Sequence, residues 1–303
     1  MIPPVAANKQ ILMSPTESLD NKYQALFNLR SIPSEESCAA LRESYPHLGS
    51  SDFLKHDVMY ILGQNQFPSS IDFLIKSMND ESESAVVRHE AAEALANFSD
   101  FKDKTIPELK KHWDSPVSEL RSTVRLAIPK LEQFNPASNL FNKFMKGTIE
   151  PAEPFSAAQL AEYLASIGKT EDDLLDILVS PAVEEYIRYR VLYYLRDKAD
   201  LQSAKTVARV LKKQYRTSTS PLMRHEVCFV MGQFNDKAND PEIRQILGDD
   251  ITDQEEAPIV RHEAILAYSQ IWGNDELIIA QKNDPNQLVN ESANIVMNEE
   301  LQH

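Results

Sequence analysis

The feature that most constrains this chain is that it repeats itself. The helical stretch VVRHEAAEALA has relatives upstream, FLKHDVMYILG and NKYQALFNLR, and one downstream, LRSTVRLAIPK. Aligned on their apolar positions, these place Tyr23, His56, His89 and Ser122 in one column, 33 residues apart each time. A second series, YIRYRVLYYLR, LMRHEVCFVMG, IVRHEAILAYS and LVNESANIVM, puts Tyr189, His225, His262 and Glu291 in the same column, at intervals of 36, 37 and 29 residues. A unit of this size cannot bury its apolar face alone, so neighbours must stack into a solenoid.

Each unit carries apolar residues at helical spacing, such as Val58, Ile61 and Leu62 after His56, with a second amphipathic stretch between units. Only seven glycines occur, in keeping with helices. Proline suits a first helical turn, where its missing N–H loses nothing, so Ser115-Pro116, Ser180-Pro181, Ser220-Pro221 and Ala257-Pro258 are expected to mark helix starts. The ankyrin TPLH signature and the tetratricopeptide pattern are absent. The expectation is an all-α solenoid of eight compact HEAT-like helical hairpins in two sets of four. Between the sets, FNPASNLFNKFMKGTIEPAEPF holds Pro136, Gly147, Pro151 and Pro154, which predicts a linker over 135–155 separating repeats in 1–134 from repeats in 156–303.

Lys plus Arg number 31 and Asp plus Glu 46, a net charge of −15. Nucleic acid would be repelled by such a surface, whereas a basic protein partner would be steered towards it. Two cysteines far apart, Cys38 and Cys228, form no disulfide framework and read as reduced thiols. The opening residues MIPPVAANKQ lack the apolar core of a signal peptide, and no run of 18 apolar residues occurs. A monomer in the cytoplasm, associated with neither membrane nor nucleic acid, is the expectation.

The column carries the chemistry. In the second and third units of each set it holds histidine followed by an acid: His56-Asp57, His89-Glu90, His225-Glu226 and His262-Glu263. With acids at 46 of 303 positions, seven histidines should be followed by one about once. An acid early in a helix is favoured by the helix dipole, so a duplicated packing signature could account for the carboxylates. It does not account for histidine in the inner units alone; His47, His112 and His303 show no such pattern and are expected at the surface. Equivalent residues of adjacent repeats lie side by side, so His56 should neighbour His89, and His225 should neighbour His262. Should the linker let the halves face each other, all four pairs would converge. Imidazole with carboxylate is the ligand set of non-haem iron. Zinc chemistry is disfavoured by the absence of HExxH or a cysteine-rich zinc motif. Two metals, one per half, is the economical arrangement.

The segments KHDVMYILGQ, VRHEAAEALA, MRHEVCFVMGQ and VRHEAILAYSQ, the pairs Gly63-Gln64 and Gly232-Gln233, and the stretch TIEPAEP resemble the deoxyhypusine hydroxylase family over nearly the whole chain. The resemblance implies two four-repeat halves clasping a di-iron centre, with one ligand set of His56, His89 and Glu90 and another of His225, His262 and Glu263. It implies that Asp57 and Glu226 hold the substrate's amine. It further implies two Fe(2+) ions, dioxygen as co-substrate, an external reductant, and deoxyhypusine on a basic loop of translation initiation factor five A as substrate. Two departures stand out: the family has glutamate where this chain has Asp57, and AILAYSQIWG after Glu263 differs from the alanine-rich family helix. The alternative is a non-catalytic scaffold of the same repeats that binds a protein partner or a bilin-like chromophore.

Overall fold

The fold follows from how these amphipathic stretches hide their apolar faces. The computed structural model describes residues 3–133 and 151–299. The chain divides into two compact units, Met1–Pro151 and Ala152–His303. Most of the expected linker, with Pro136 and Gly147, lies outside the described residues, as does His303.

Among the described residues every regular element is a helix. Unit 1 runs α1 (Val5–Met13), α2 (Leu19–Arg30), α3 (Glu35–Ser44), α4 (Asp52–Asn65), α5 (Ile71–Asn79), α6 (Ala85–Leu95), α7 (Lys102–Lys110) and α8 (Ser118–Gln133). Unit 2 runs α9 (Ala157–Ser166), α10 (Leu174–Val179), α11 (Glu185–Lys198), α12 (Leu201–Arg209), α13 (Pro221–Gln233), α14 (Pro241–Thr252), α15 (Pro258–Trp272), α16 (Glu276–Gln281) and α17 (Gln287–Glu299). The column residues sit on α2, α4, α6 and α8 in unit 1 and on α11, α13, α15 and α17 in unit 2, each packed on the next. This is the expected α-solenoid. Its core is the apolar stripe that follows the column: Val58, Ile61 and Leu62 on α4, Ala91 and Leu95 on α6, Val227 and Met231 on α13, and Ala264 and Ile265 on α15.

Helix starts are set locally. Ser51, Ser84 and Ser220 accept hydrogen bonds from the amides of Leu54, Val87 and Met223, satisfying donors that the helix leaves over. Pro221 and Pro258 stand at the first helical position, as expected. Pro116 and Pro181 do not. Pro181 lies in a turn closed by the Val183 amide donating to the Ser180 carbonyl, a place where fixed φ is equally welcome, and α11 begins four residues later.

Neighbouring helices are pinned by the arginines that stand immediately before His89, His225 and His262. Arg88 donates to the Met78 carbonyl at the end of α5 (3.0 Å), Arg224 to the Leu211 carbonyl just past α12 (2.9 Å), and Arg261 to the Ile251 carbonyl of α14 (3.0 Å). Arg224, fully buried, also meets Asp250 and Glu256, and Arg261 meets Asp284. Burial pushes the Asp250 carboxyl up to about 7 against the pull of Arg224.

The Gly-Gln pairs acquire a physical meaning here. Gly63 lies seven residues, two helical turns, after His56, and a Cβ on it would sit 2.7 Å from Ala94 Cβ and 2.8 Å from Ala94 Cα. Glycine therefore sets how closely α4 approaches α6. At Gly232 the nearest obstacle is the mobile end of Gln270, at 2.9 Å. Gly63→Ala should lose about 1–2 kcal/mol, overpacking outweighing the gain in helix propensity, whereas Gly232→Ala should be near neutral or stabilising. Urea unfolding of the two variants checks this, and equal effects would refute it. A second expectation concerns acid. Hydrogen bonds from Arg209 and Lys212 hold Glu242 down at about 2, and the Glu255 amide and Arg216 do the same for Asp253. Such depressed carboxylates contribute stability that is present above their unfolded values and lost as pH falls through the folded ones. Thermal midpoints should drop between about pH 4.5 and 2, and drop less in Glu242→Gln.

Candidate metal centre

The side-by-side stacking of α4 on α6 brings two column histidines together in unit 1. The His56 and His89 ring centroids are 5.8 Å apart. His56 Nε2 lies 3.3 Å from Glu90 Oε2. His89 is fully buried, Glu90 is 5% exposed, and the His56 side chain is 13% exposed. In unit 2, α13 and α15 do the same for His225 and His262, with centroids 5.4 Å apart. Glu263 Oε2 lies 3.5 Å from His225 Nε2 and 3.9 Å from His262 Nε2.

In each unit two imidazoles and one carboxylate thus offer donor atoms that all lie within 4.8 Å of one another: His56, His89 and Glu90, and His225, His262 and Glu263. Two nitrogens and an oxygen gathered on one side are the donor set of a divalent transition metal with open positions left over. The residues present fit an iron ion. Burial alone would lower the His56 pKa, but Glu90 and Asp57 together hold it well above the usual imidazole range. A proton and a cation therefore compete for this pocket.

The second-repeat acids belong to neither trio. Asp57 Oδ1 lies 3.2 Å from Nδ1 of its own neighbour His56, and its side chain is 23% exposed. Glu226 is 5% exposed and accepts a 2.5 Å hydrogen bond from the Tyr193 hydroxyl. That tyrosine was not singled out from the sequence, because one aromatic on an amphipathic helix is indistinguishable from core. Ser292, one place after the column on α17, donates to the Leu288 carbonyl (2.8 Å), and its oxygen lies 3.5 Å from His262 Nδ1. A hydroxyl that already donates offers only its lone pairs to Nδ1, so it suits the tautomer that carries its proton on Nδ1 and leaves Nε2 open towards Glu263. Of the other histidines, His47 is exposed, but His112 is half-buried, its Nε2 2.6 Å from Asn79 Oδ1, because α7 packs against α5 there. Cys38 and Cys228 are both buried thiols.

Comparison with known proteins agrees with this architecture. Residues 49–129 match a family model described as HEAT repeats. The deoxyhypusine hydroxylase of Candida albicans is 30% identical over 95% of this chain and 90% of its own length. That of Aspergillus fumigatus is 29% identical, over 98% and 90%. The solved structure of human deoxyhypusine hydroxylase in complex with glycerol superposes with a TM-score of 0.80 at 26% identity, covering 99% of this chain and 96% of that one. The chain belongs to the deoxyhypusine hydroxylase family and is an enzyme, a monooxygenase.

Proposed function

We propose that this chain hydroxylates the side chain of deoxyhypusine on translation initiation factor five A, forming hypusine, with one Fe(2+) held by His56, His89 and Glu90 and a second by His225, His262 and Glu263. The observation that carries the reading is the pair of buried trios, each two imidazoles and a carboxylate with donor atoms within 4.8 Å. Bound iron would supply the activation of dioxygen, with an external reductant. The protein's own part is to aim the donors, exclude water and hold the substrate. Glu90 and Glu263, on the same helices as His89 and His262, bring negative charge that offsets the cation in a low-dielectric pocket. Asp57 and Glu226 stand beside the trios and are the carboxylates assigned to the substrate's amine. A net charge of −15 suits a basic substrate protein and steers its approach. No helix among the described residues is long and apolar enough to cross a membrane, and a monomer in the cytoplasm, without nucleic acid, completes the reading.

About two irons per chain should therefore be found by elemental analysis. His89→Ala should strip the ion from unit 1 and Glu263→Ala that from unit 2, leaving about one each, while Glu226→Ala should keep both and bind substrate more weakly. Equal iron loss in all three variants would overturn the assignment, as would zinc alone at full occupancy after expression in ample iron.

Asp57 is one methylene shorter than the glutamate expected at this position, and displacements of about 1 Å can cost about 10²-fold in rate. Asp57→Glu should leave iron content unchanged and hydroxylate deoxyhypusine as fast as the parent or faster. A large loss under matched iron loading would mean that the site is built around aspartate.

A further inference from the structure

The two acids assigned to the substrate amine are not held alike. On α11, Tyr193 lies one turn after the column residue Tyr189 and so shares its face, towards α13. Its hydroxyl donates to Glu226 Oε1 at 2.5 Å, and both side chains are buried. The ring itself is clamped. Tyr189 meets it edge-on with centroids 6.3 Å apart, and the Arg196 guanidinium lies 4.9 Å from its centroid while bonding Asp197 through Nε and Nη2. In unit 1 the position one turn after the column residue Tyr23 is Phe27, which has no hydroxyl.

We propose that Tyr193 is a positioning residue for substrate recognition: its phenol fixes the Glu226 carboxylate in the orientation that receives the amine of deoxyhypusine. This rests on the role given to Glu226 above. A phenol donating to a carboxylate forms a short, charge-assisted bond that fixes the plane of the carboxylate while taking up only one of its about four lone-pair sites. A carboxylate held in advance loses no side-chain freedom when the amine arrives, so binding is tighter than to a mobile one. Asp57 receives no such bond from Phe27 and meets its own neighbour His56 instead. The amine contact of unit 2 is thus the preorganised one of the two.

The test compares wild type, Tyr193→Phe, Glu226→Gln and the double variant, all as full-length iron-loaded protein. Iron content, direct binding of deoxyhypusine-bearing initiation factor five A, and the split between KM and kcat are measured for each. Tyr193→Phe keeps the ring and its packing, so iron content should not change. Binding should weaken about 10-fold, equivalent to about 1.4 kcal/mol, with KM rising and kcat little altered. In the Glu226→Gln background the tyrosine change should add nothing, since the group it positions has lost its charge. Normal binding by Tyr193→Phe beside weak binding by Glu226→Gln would overturn the tyrosine's role and leave that of Glu226 intact. Normal binding by Glu226→Gln would instead remove the reading on which the proposal stands. Additive losses, or iron lost together with binding in Tyr193→Phe, would show that the tyrosine serves the fold and would equally overturn the proposal.

Discussion

Everything at the two metal-ligand sets depends on how closely adjacent column helices approach. In a helix, residues seven apart share a face, so a small residue two turns after a histidine governs the distance at the histidine itself. Gly63 after His56 permits α4 to lie against Ala94 of α6, and two turns back along the same pair of helices the imidazoles meet at 5.8 Å. The buried arginines do the complementary task. By bonding carbonyls at the ends of the preceding helices, Arg88, Arg224 and Arg261 fix the rotation of α6, α13 and α15 about their own axes.

What was legible in the sequence was legible because it recurs. Periodic apolar positions and a fixed column made the solenoid and the four His-acid pairs visible without any three-dimensional information. The choice among acids was less accessible. His56 and Asp57 point about 100° apart on a helix, as do His89 and Glu90, and spacing alone cannot say which carboxylate turns towards the partner ring. Resemblance to the family supplied the sets, and the structure gathers Glu90 with His56 and His89 and Glu263 with His225 and His262, while Asp57 lies against Nδ1 of its own neighbour His56 and Glu226 accepts from Tyr193.

Other features were hidden for reasons of distance and degeneracy. Tyr193 and Glu226 are 33 residues apart, and nothing local to either hints at the bond. Ser292 looks like any small residue on an amphipathic helix. Proline gave a mixed signal because one fixed φ serves both a first helical turn, as at Pro221, and a tight turn, as at Pro181.

The placement of histidine in the inner repeats has a consequence for how these arrays melt. A solenoid is a one-dimensional chain of interfaces, and its ends, lacking a neighbour on one side, open first. Each trio straddles a single interface, α4 with α6 or α13 with α15, and that interface is flanked on either side by a repeat carrying tyrosine, serine or glutamate in the column. Fraying of α2 or α8, or of α11 or α17, thus leaves the donors in register. The outer repeats serve as sacrificial ends, and a cation bound between the inner two would tie together the one boundary whose opening would release it.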